Sequence, residues 1–380
     1  MDTKVSVVDP DSFTFSSEDL EDPQFFTTDP NALRILEHAS KLLAEDQVIA
    51  IPTETVYGLA SNALHPEAIK KIYKVKNRPS DNPLIVHISS LKMLRSLLPN
   101  NEIPVIYESV IRKFWPGPLT IILPKSDLIP SEITCSQPTV AVRFPSHPVA
   151  RALISKCGFP LAAPSANLSG KPSPTLASHV LTDLNKKISL IIDGGQCNFG
   201  VESTVLDAFG TRGPVILRPG GITYEELIKI PEFEELRVYN KDYIDEKLEM
   251  APTTPGMKYR HYSPNAKMVL IDAGGDVDTR NIIEREMQGM IDEGMKNIGI
   301  LVTRSNKMSG SLQTTSRNII EYSLGDPTCP EQIARELFKG LRYLDERKVD
   351  CIIVEGISED KEGLAVMNRL RKAASSTLVE

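Results

Sequence analysis

Cysteine is sparse and unpatterned. Cys135, Cys157, Cys197, Cys329 and Cys351 are scattered, and no two have CxxC spacing. That excludes a disulfide framework and a thiolate zinc site, and reads as buried thiols in a reducing compartment. The histidines show neither HxxxH nor HExxH spacing, so no metal-ligand set is expected. No apolar run approaches the roughly 18 residues of a membrane span. The N-terminus lacks both the basic-then-apolar pattern of a signal peptide and the Arg-rich, acid-poor pattern of a mitochondrial presequence. A cytoplasmic protein with no membrane partner is the expectation. Excess positive charge is missing too: 43 Lys+Arg against 50 Asp+Glu leave a net charge of -7. With no global basic field, an anion site must be a local cluster. The common phosphate cradles are absent: Gly170-Lys171 is followed by Pro172, so there is no GxxxxGK[ST] loop, and there is no GxGxxG.

What is present suggests two domains. The chain has 380 residues and a hydrophobic fraction of 41%, ordinary for a globular protein. Residues 1–28 carry Asp2, Asp9, Asp11, Glu18, Asp19, Glu21 and Asp22 against Lys4 alone, and read as a disordered acidic tail. Order should begin at Asp29-Pro30, an N-cap followed by proline at the first helical position. A second Pro-started helix is expected from Pro66 to Lys76, with Ile69, Ile72, Tyr73 and Val75 inward. From there strands mix with helices without regular alternation. That predicts, for residues 29–235, an α+β domain with a twisted mixed sheet and an open concave face. Residues 236–265 read as a linker, stiffened by Pro252, Pro255 and Pro264. Its Lys258-Tyr-Arg-His-Tyr262 run is unusual for a passive connector: it fits either a lid or residues packing at a domain interface. Residues 266–380 alternate strand and helix and predict a small, doubly wound α/β domain.

Several clusters could carry chemistry. Pro52-Thr-Glu-Thr-Val-Tyr-Gly58 follows a buried strand and is rich in hydroxyls; it reads as a ligand-facing loop or as a turn ended by Gly58. Lys76 and Arg78 lie where a helix ends before Pro79, at alternate positions of an extended segment that would aim both at one phosphate. They also suit a helix C-terminus. Asn82 leads into a strand containing His87, which is either a satisfied core histidine or a site residue. Arg143 interrupts the apolar strand that begins at Thr139. Burying an unpaired guanidinium is costly, so Arg143 requires a carboxylate partner or an anionic ligand. Ala163-Pro-Ser-Ala-Asn-Leu-Ser-Gly170 is small enough for a ligand to approach its backbone. Glu202-Ser-Thr-Val205 and Arg218-Pro-Gly-Gly221 complete the set.

In this order the clusters resemble the long-form threonylcarbamoyl-AMP synthases of the YrdC-domain family. The resemblance rests on PTETVYGL (52–59), KNRPSDNPLIVHI (76–88), WPGPLT (115–120), VAVRFP (140–145), APSANLSGKPSPT (163–175), ESTVLD (202–207) and ILRPGGI (216–222). PGMKYRHYSP (255–264) and GLAVMNRLRKAAS (363–375) are similar to the long form specifically. The resemblance implies that L-threonine, bicarbonate and ATP give threonylcarbamoyl-AMP and pyrophosphate. The product serves N6-threonylcarbamoyl modification of adenosine 37 in tRNAs that read ANN codons. It implies threonine near Thr55, His87, Arg143, Ala163 and Ser203, and nucleotide near Arg78, Asn82, Thr139, Ser165, Ser173, Arg218 and His261. Lys76 and Arg78, with Mg²⁺ held in no dedicated protein cage, would offset the triphosphate. It leaves room for the downstream tRNA threonylcarbamoyl-transfer machinery as a partner and for a weak RNA contact. The competing classes are a nucleic-acid module, which the acidic balance disfavours, and an inactive scaffold, which the intact motifs disfavour.

Overall fold

The computed structural model describes residues 2–16, 20–210, 213–242, 244, 252–257, 261–273, 279–303 and 318–379. They form two compact units. The first comprises Met1–Ser169, Pro174–Asn198 and Glu202–Lys258; the second comprises Gly170–Ser173, Phe199–Val201 and Tyr259–Glu380. The division falls within the expected linker. Part of that stretch, Arg237–Val238, is a strand on the first unit's sheet. Lys258, Tyr259 and Arg260, at the centre of the expected lid, lie outside the described residues.

The strands of the first unit are β1 (Lys4–Val7), β2 (Phe13–Phe15), β3 (Phe25–Thr27), β4 (Ile49–Ile51), β5 (Gly58–Asn62), β6 (Ile85–His87), β7 (Leu119–Pro124), β8 (Thr139–Arg143), β9 (Leu161–Ala162), β10 (Leu190–Asp193), β11 (Thr204–Asp207), β12 (Val215–Arg218) and β13 (Arg237–Val238). Eleven of them form one mixed sheet in the order β1-β10-β4-β5-β9-β6-β8-β7-β11-β12-β13, and β2 pairs with β3 apart from it. Helix α1 (Pro30–Ala44) starts as its sequence requires: the Asp29 carboxylate accepts the Asn31 N–H at 2.8 Å, and Pro30 opens the first turn. Its Ala32, Leu36, Ala39 and Leu43 are fully buried against β4, β10 and the helix Pro148–Cys157. Helix α2 (Pro66–Lys76) buries Ile69, Ile72 and Tyr73 as expected, but turns Lys76 inward in place of Val75.

The acidic N-terminal segment is not a disordered tail. β1 pairs in parallel with β10 at the sheet edge, and Val8 and Phe13 join the core under α1. Two of its acids pair with cations of a later helix: Glu21 with Arg95 at 3.2 Å and Asp22 with Lys92 at 2.9 Å. Acid content averaged over the segment hid the apolar residues that anchor it.

In the second unit, β14 (Lys267–Asp272), β15 (Asn297–Val302), β16 (Asn318–Ser323), β17 (Cys351–Glu355) and β18 (Ser376–Val379) form an all-parallel sheet in the order β16-β15-β17-β14-β18. The helix Arg280–Asp292 packs Ile283 and Met287 on the face bearing Val269, Ile298 and Ile353. On the other face the helix Pro330–Glu346 approaches so closely that a Cβ at Gly299 would lie 2.9 Å from Leu344. Helices cover both faces, as a doubly wound fold requires. Among the described residues, no helix is long and apolar enough to cross a membrane.

Candidate active site

The sheet brings distant polar residues into one row. β6 runs parallel to β8 with His87 opposite Arg143, and β7 runs antiparallel to β8 with Thr120 opposite Arg143. Residues paired in register share a face of the sheet, so His87, Arg143 and Thr120 stand side by side. All three are buried.

The Arg143 guanidinium has found a carboxylate. Its Nη2 lies 2.7 Å from Glu54 Oε1, and both side chains are about 95% removed from solvent. Glu54 lies in the hydroxyl-rich loop but was not among the expected site residues. Burial is the largest influence and opposes its ionisation, but the Arg143 charge and hydrogen bonding, together with backbone N–H donors, outweigh it and hold the carboxyl below the usual range. The same loop supplies a hydroxyl relay. Thr53 donates to the Val56 carbonyl at 2.6 Å, so Thr55 donates to Thr53 at 2.9 Å and accepts from Arg143 Nη1 at 2.8 Å. A long contact of 3.4 Å joins Arg143 Nε to the Gly117 carbonyl. A guanidinium carries five N–H groups, so three protein partners leave donors for a ligand carboxylate. Neither Arg143 Nη2 nor Glu54 Oε1 has an aligned hydrogen-bond partner among the described residues. Burial, aided by the Arg143 charge, pushes the His87 pKa down to about 3. His87 is therefore neutral, with Nδ1–H donating to the Ile85 carbonyl at 3.2 Å and Nε2 left as an acceptor.

Ser203 extends the row. Its hydroxyl is 2.7 Å from Thr120 Oγ1 and accepts from Arg218 Nη2 at 3.2 Å. Arg218 also donates to the Ser203 carbonyl and, through Nη1, to the Pro255 carbonyl at 3.0 Å. This turn demands glycine at position 220, where a Cβ would lie 2.2 Å from the Glu202 carbonyl oxygen.

Lys76 and Arg78 do not occupy alternate positions of an extended segment. Lys76 ends α2, and Asn77 in the left-handed region (φ 52°) turns the chain, so the two side chains have different partners. Lys76 Nζ, fully buried, donates to the carbonyls of Ser165 and Asn167, the latter at 2.6 Å. Arg78 donates to the carbonyls of Asn82 and Pro83 at 3.1 and 3.0 Å. Lys76 thus organises the small-residue loop, which is pinned further by Leu59 N–H on Pro164, Ala166 N–H on Tyr57 and Ala163 N–H on Ile85. Within this framework Ser165 is half-buried, and its hydroxyl and N–H have no protein partner among the described residues. Thr139 opens β8, also half-buried. Ser173 and His261 belong to the second unit, where the Tyr262 ring lies edge-on 4.3 Å from the His261 ring and tilted 5.3 Å from Phe338. No group of three or more His, Cys, Asp or Glu that could hold a metal occurs among the described residues.

Comparisons with known proteins agree along the chain. Residues 41–220 match the Sua5/YciO/YrdC family model, described as telomere recombination, and residues 222–375 match that of the threonylcarbamoyl-AMP synthase C-terminal domain. The chain is 44% identical to a threonylcarbamoyl-AMP synthase of Schizosaccharomyces pombe over 99% of this chain and 98% of that one. It is 45% identical to a threonylcarbamoyl-AMP synthase of Pyrococcus abyssi over 90% and 94% of the two chains. The crystal structure of Pyrococcus abyssi Sua5 complexed with L-threonine superposes with a TM-score of 0.80 at 44% identity, covering 91% of this chain and 96% of that one.

Proposed function

The chain belongs to the Sua5/YrdC family of threonylcarbamoyl-AMP synthases in its two-domain form, and from that premise we propose that it is an ATP-dependent nucleotidyltransferase making threonylcarbamoyl-AMP and pyrophosphate from L-threonine, bicarbonate and ATP. The product supplies N6-threonylcarbamoyladenosine synthesis in tRNA, handed to the downstream transfer machinery in the cytoplasm. ATP is used with magnesium carried on its phosphates.

The observation that carries this reading is Arg143. It is a buried guanidinium, oriented on two sides by Glu54 and Thr55, with donors to spare and a neutral His87 beside it. In this arrangement Arg143 receives the threonine carboxylate, and His87 Nε2 can accept the threonine hydroxyl. Ser165, whose carbonyl is held by Lys76 and whose hydroxyl has no protein partner among the described residues, faces the nucleotide with Arg78, Asn82, Thr139 and Arg218. Ala163 and Ser203 line the threonine side. The threonine amine and bicarbonate form a carbamate with loss of water, and a carbamate oxygen attacks the α-phosphate directly, breaking the α–β phosphoanhydride bond and expelling pyrophosphate. The protein supplies positioning and charge neutralisation, and needs no covalent nucleophile. The test is carbon-labelled bicarbonate. Its label should appear in a product containing both threonine and AMP, and label confined to free bicarbonate would refute the reading.

A further inference from the structure

The loop that carries Ser165 is held from behind by a helix to which nothing above assigns a role. Helix α3 (Ala177–Leu184) buries two ionisable side chains, His179 and Asp183, each 5% exposed. They are four residues apart and so lie on one face of the helix. Asp183 Oδ2 accepts the Leu168 N–H at 3.3 Å, and His179 Nδ1 accepts the Thr175 N–H at 3.2 Å. Leu168 and Thr175 lie on the two limbs of the small-residue loop, on either side of its Gly170–Ser173 portion. Because His179 Nδ1 is the acceptor, the ring in this arrangement is neutral with its proton on Nε2.

We propose that His179 and Asp183 are positioning residues for the nucleotide loop. They fix the backbone of its two limbs, while Lys76 gathers the carbonyls of Ser165 and Asn167 between them. Buried N–H groups must find acceptors. Here the acceptors come from one short helix, so the loop inherits that helix's rigidity. Lys76 takes the carbonyls of Ser165 and Asn167, and α3 takes the N–H groups of Leu168 and Thr175, while the Ser165 hydroxyl keeps no protein partner among the described residues. A pair that served only to cap α3 would need no bond to Leu168, fifteen residues from Asp183. The inference rests on the reading that Ser165 faces the nucleotide.

The test uses the full chain and four variants: His179→Ala, Asp183→Ala, His179→Gln and Asp183→Asn. Thermal stability and separate KM values for ATP and threonine are measured for each. Loss of one such bond should raise the KM for ATP about tenfold, with the KM for threonine within about twofold of wild type. Gln and Asn keep an acceptor oxygen and should restore the ATP value. Folded alanine variants with an unchanged KM for ATP would overturn the proposal. So would a parallel rise in both KM values, or conservative variants as impaired as the alanines. If Asp183→Ala does not fold, the His179 pair and Asp183→Asn decide alone. No threonine-dependent turnover in the wild type would overturn the underlying reading instead.

Discussion

Glu54→Ala separates an oriented receptor from an incidental ion pair. The substitution leaves the Arg143 guanidinium buried, with the Thr55 hydroxyl and the distant Gly117 carbonyl as its remaining partners among the described residues. Removing one partner of a buried ion pair costs about 3–5 kcal/mol, chiefly because the other charge is left uncompensated. At ~2–4 °C per kcal/mol for a domain of this size, the melting temperature should fall by roughly 6–20 °C. Adding Arg143→Met to Glu54→Ala should recover much of that loss, since no lone charge then remains buried. The pH dependence has a definite sign. The Glu54 carboxyl is held below its ordinary value of 4.5, so its contribution is complete above that pH and is lost as pH falls through the lower folded-state value. Glu54→Gln should lack this acid limb. Calorimetry on the three variants, with a wild-type acid titration, reads both effects. A Glu54→Ala protein melting within about 2 °C of wild type, with no gain from Arg143→Met, would refute the reasoning.

Arg143→Lys keeps the charge but loses the planar fork, so the KM for threonine should rise more than that for ATP; equal changes in steady-state assays would count against the assignment. Deleting residues 1–28 removes β1 and strips Val8 and Phe13 from the core, which at ~1.5–3 kcal/mol per buried side chain should cost about 3–6 kcal/mol. A truncated protein as stable to urea as the full chain would restore the picture of a passive tail. Gly220→Ala would place a Cβ 2.2 Å from the Glu202 carbonyl oxygen. Ser203 should be displaced and activity should fall even where the protein folds, which kinetics with circular dichroism would show.

Local signals in the sequence were legible where they are strong. Proline at the first helical position marked the starts of α1 and α2, and both form. The order of motifs pointed to the family before any pairing was known. β5 was not legible, because Gly58-Leu-Ala-Ser-Asn62 is small and polar and reads as the end of a turn. A central strand packed closely on both sides tolerates such residues; a Cβ at Gly58 would lie 3.2 Å from that of Ala163. β16 and β18 were missed because they are edge strands, half-buried or exposed, with no apolar run. At the site, Arg143 announced itself as a charge within an apolar strand. Its partner Glu54 lies far away in sequence, and nothing local marks that pairing. The same holds for Asp183 and Leu168. Lys76 and Arg78 were recognised as a pair but misaimed, since a left-handed Asn77 is not apparent from composition.

The most direct measurement is pyrophosphate release by the full chain, with ATP, L-threonine and bicarbonate present together and each omitted in turn. Release is expected only with all three present, together with a product that contains threonine, one carbon from bicarbonate and AMP. ATP turnover at an equal rate without threonine, or RNA binding with a steep salt dependence and no turnover at all, would contradict it.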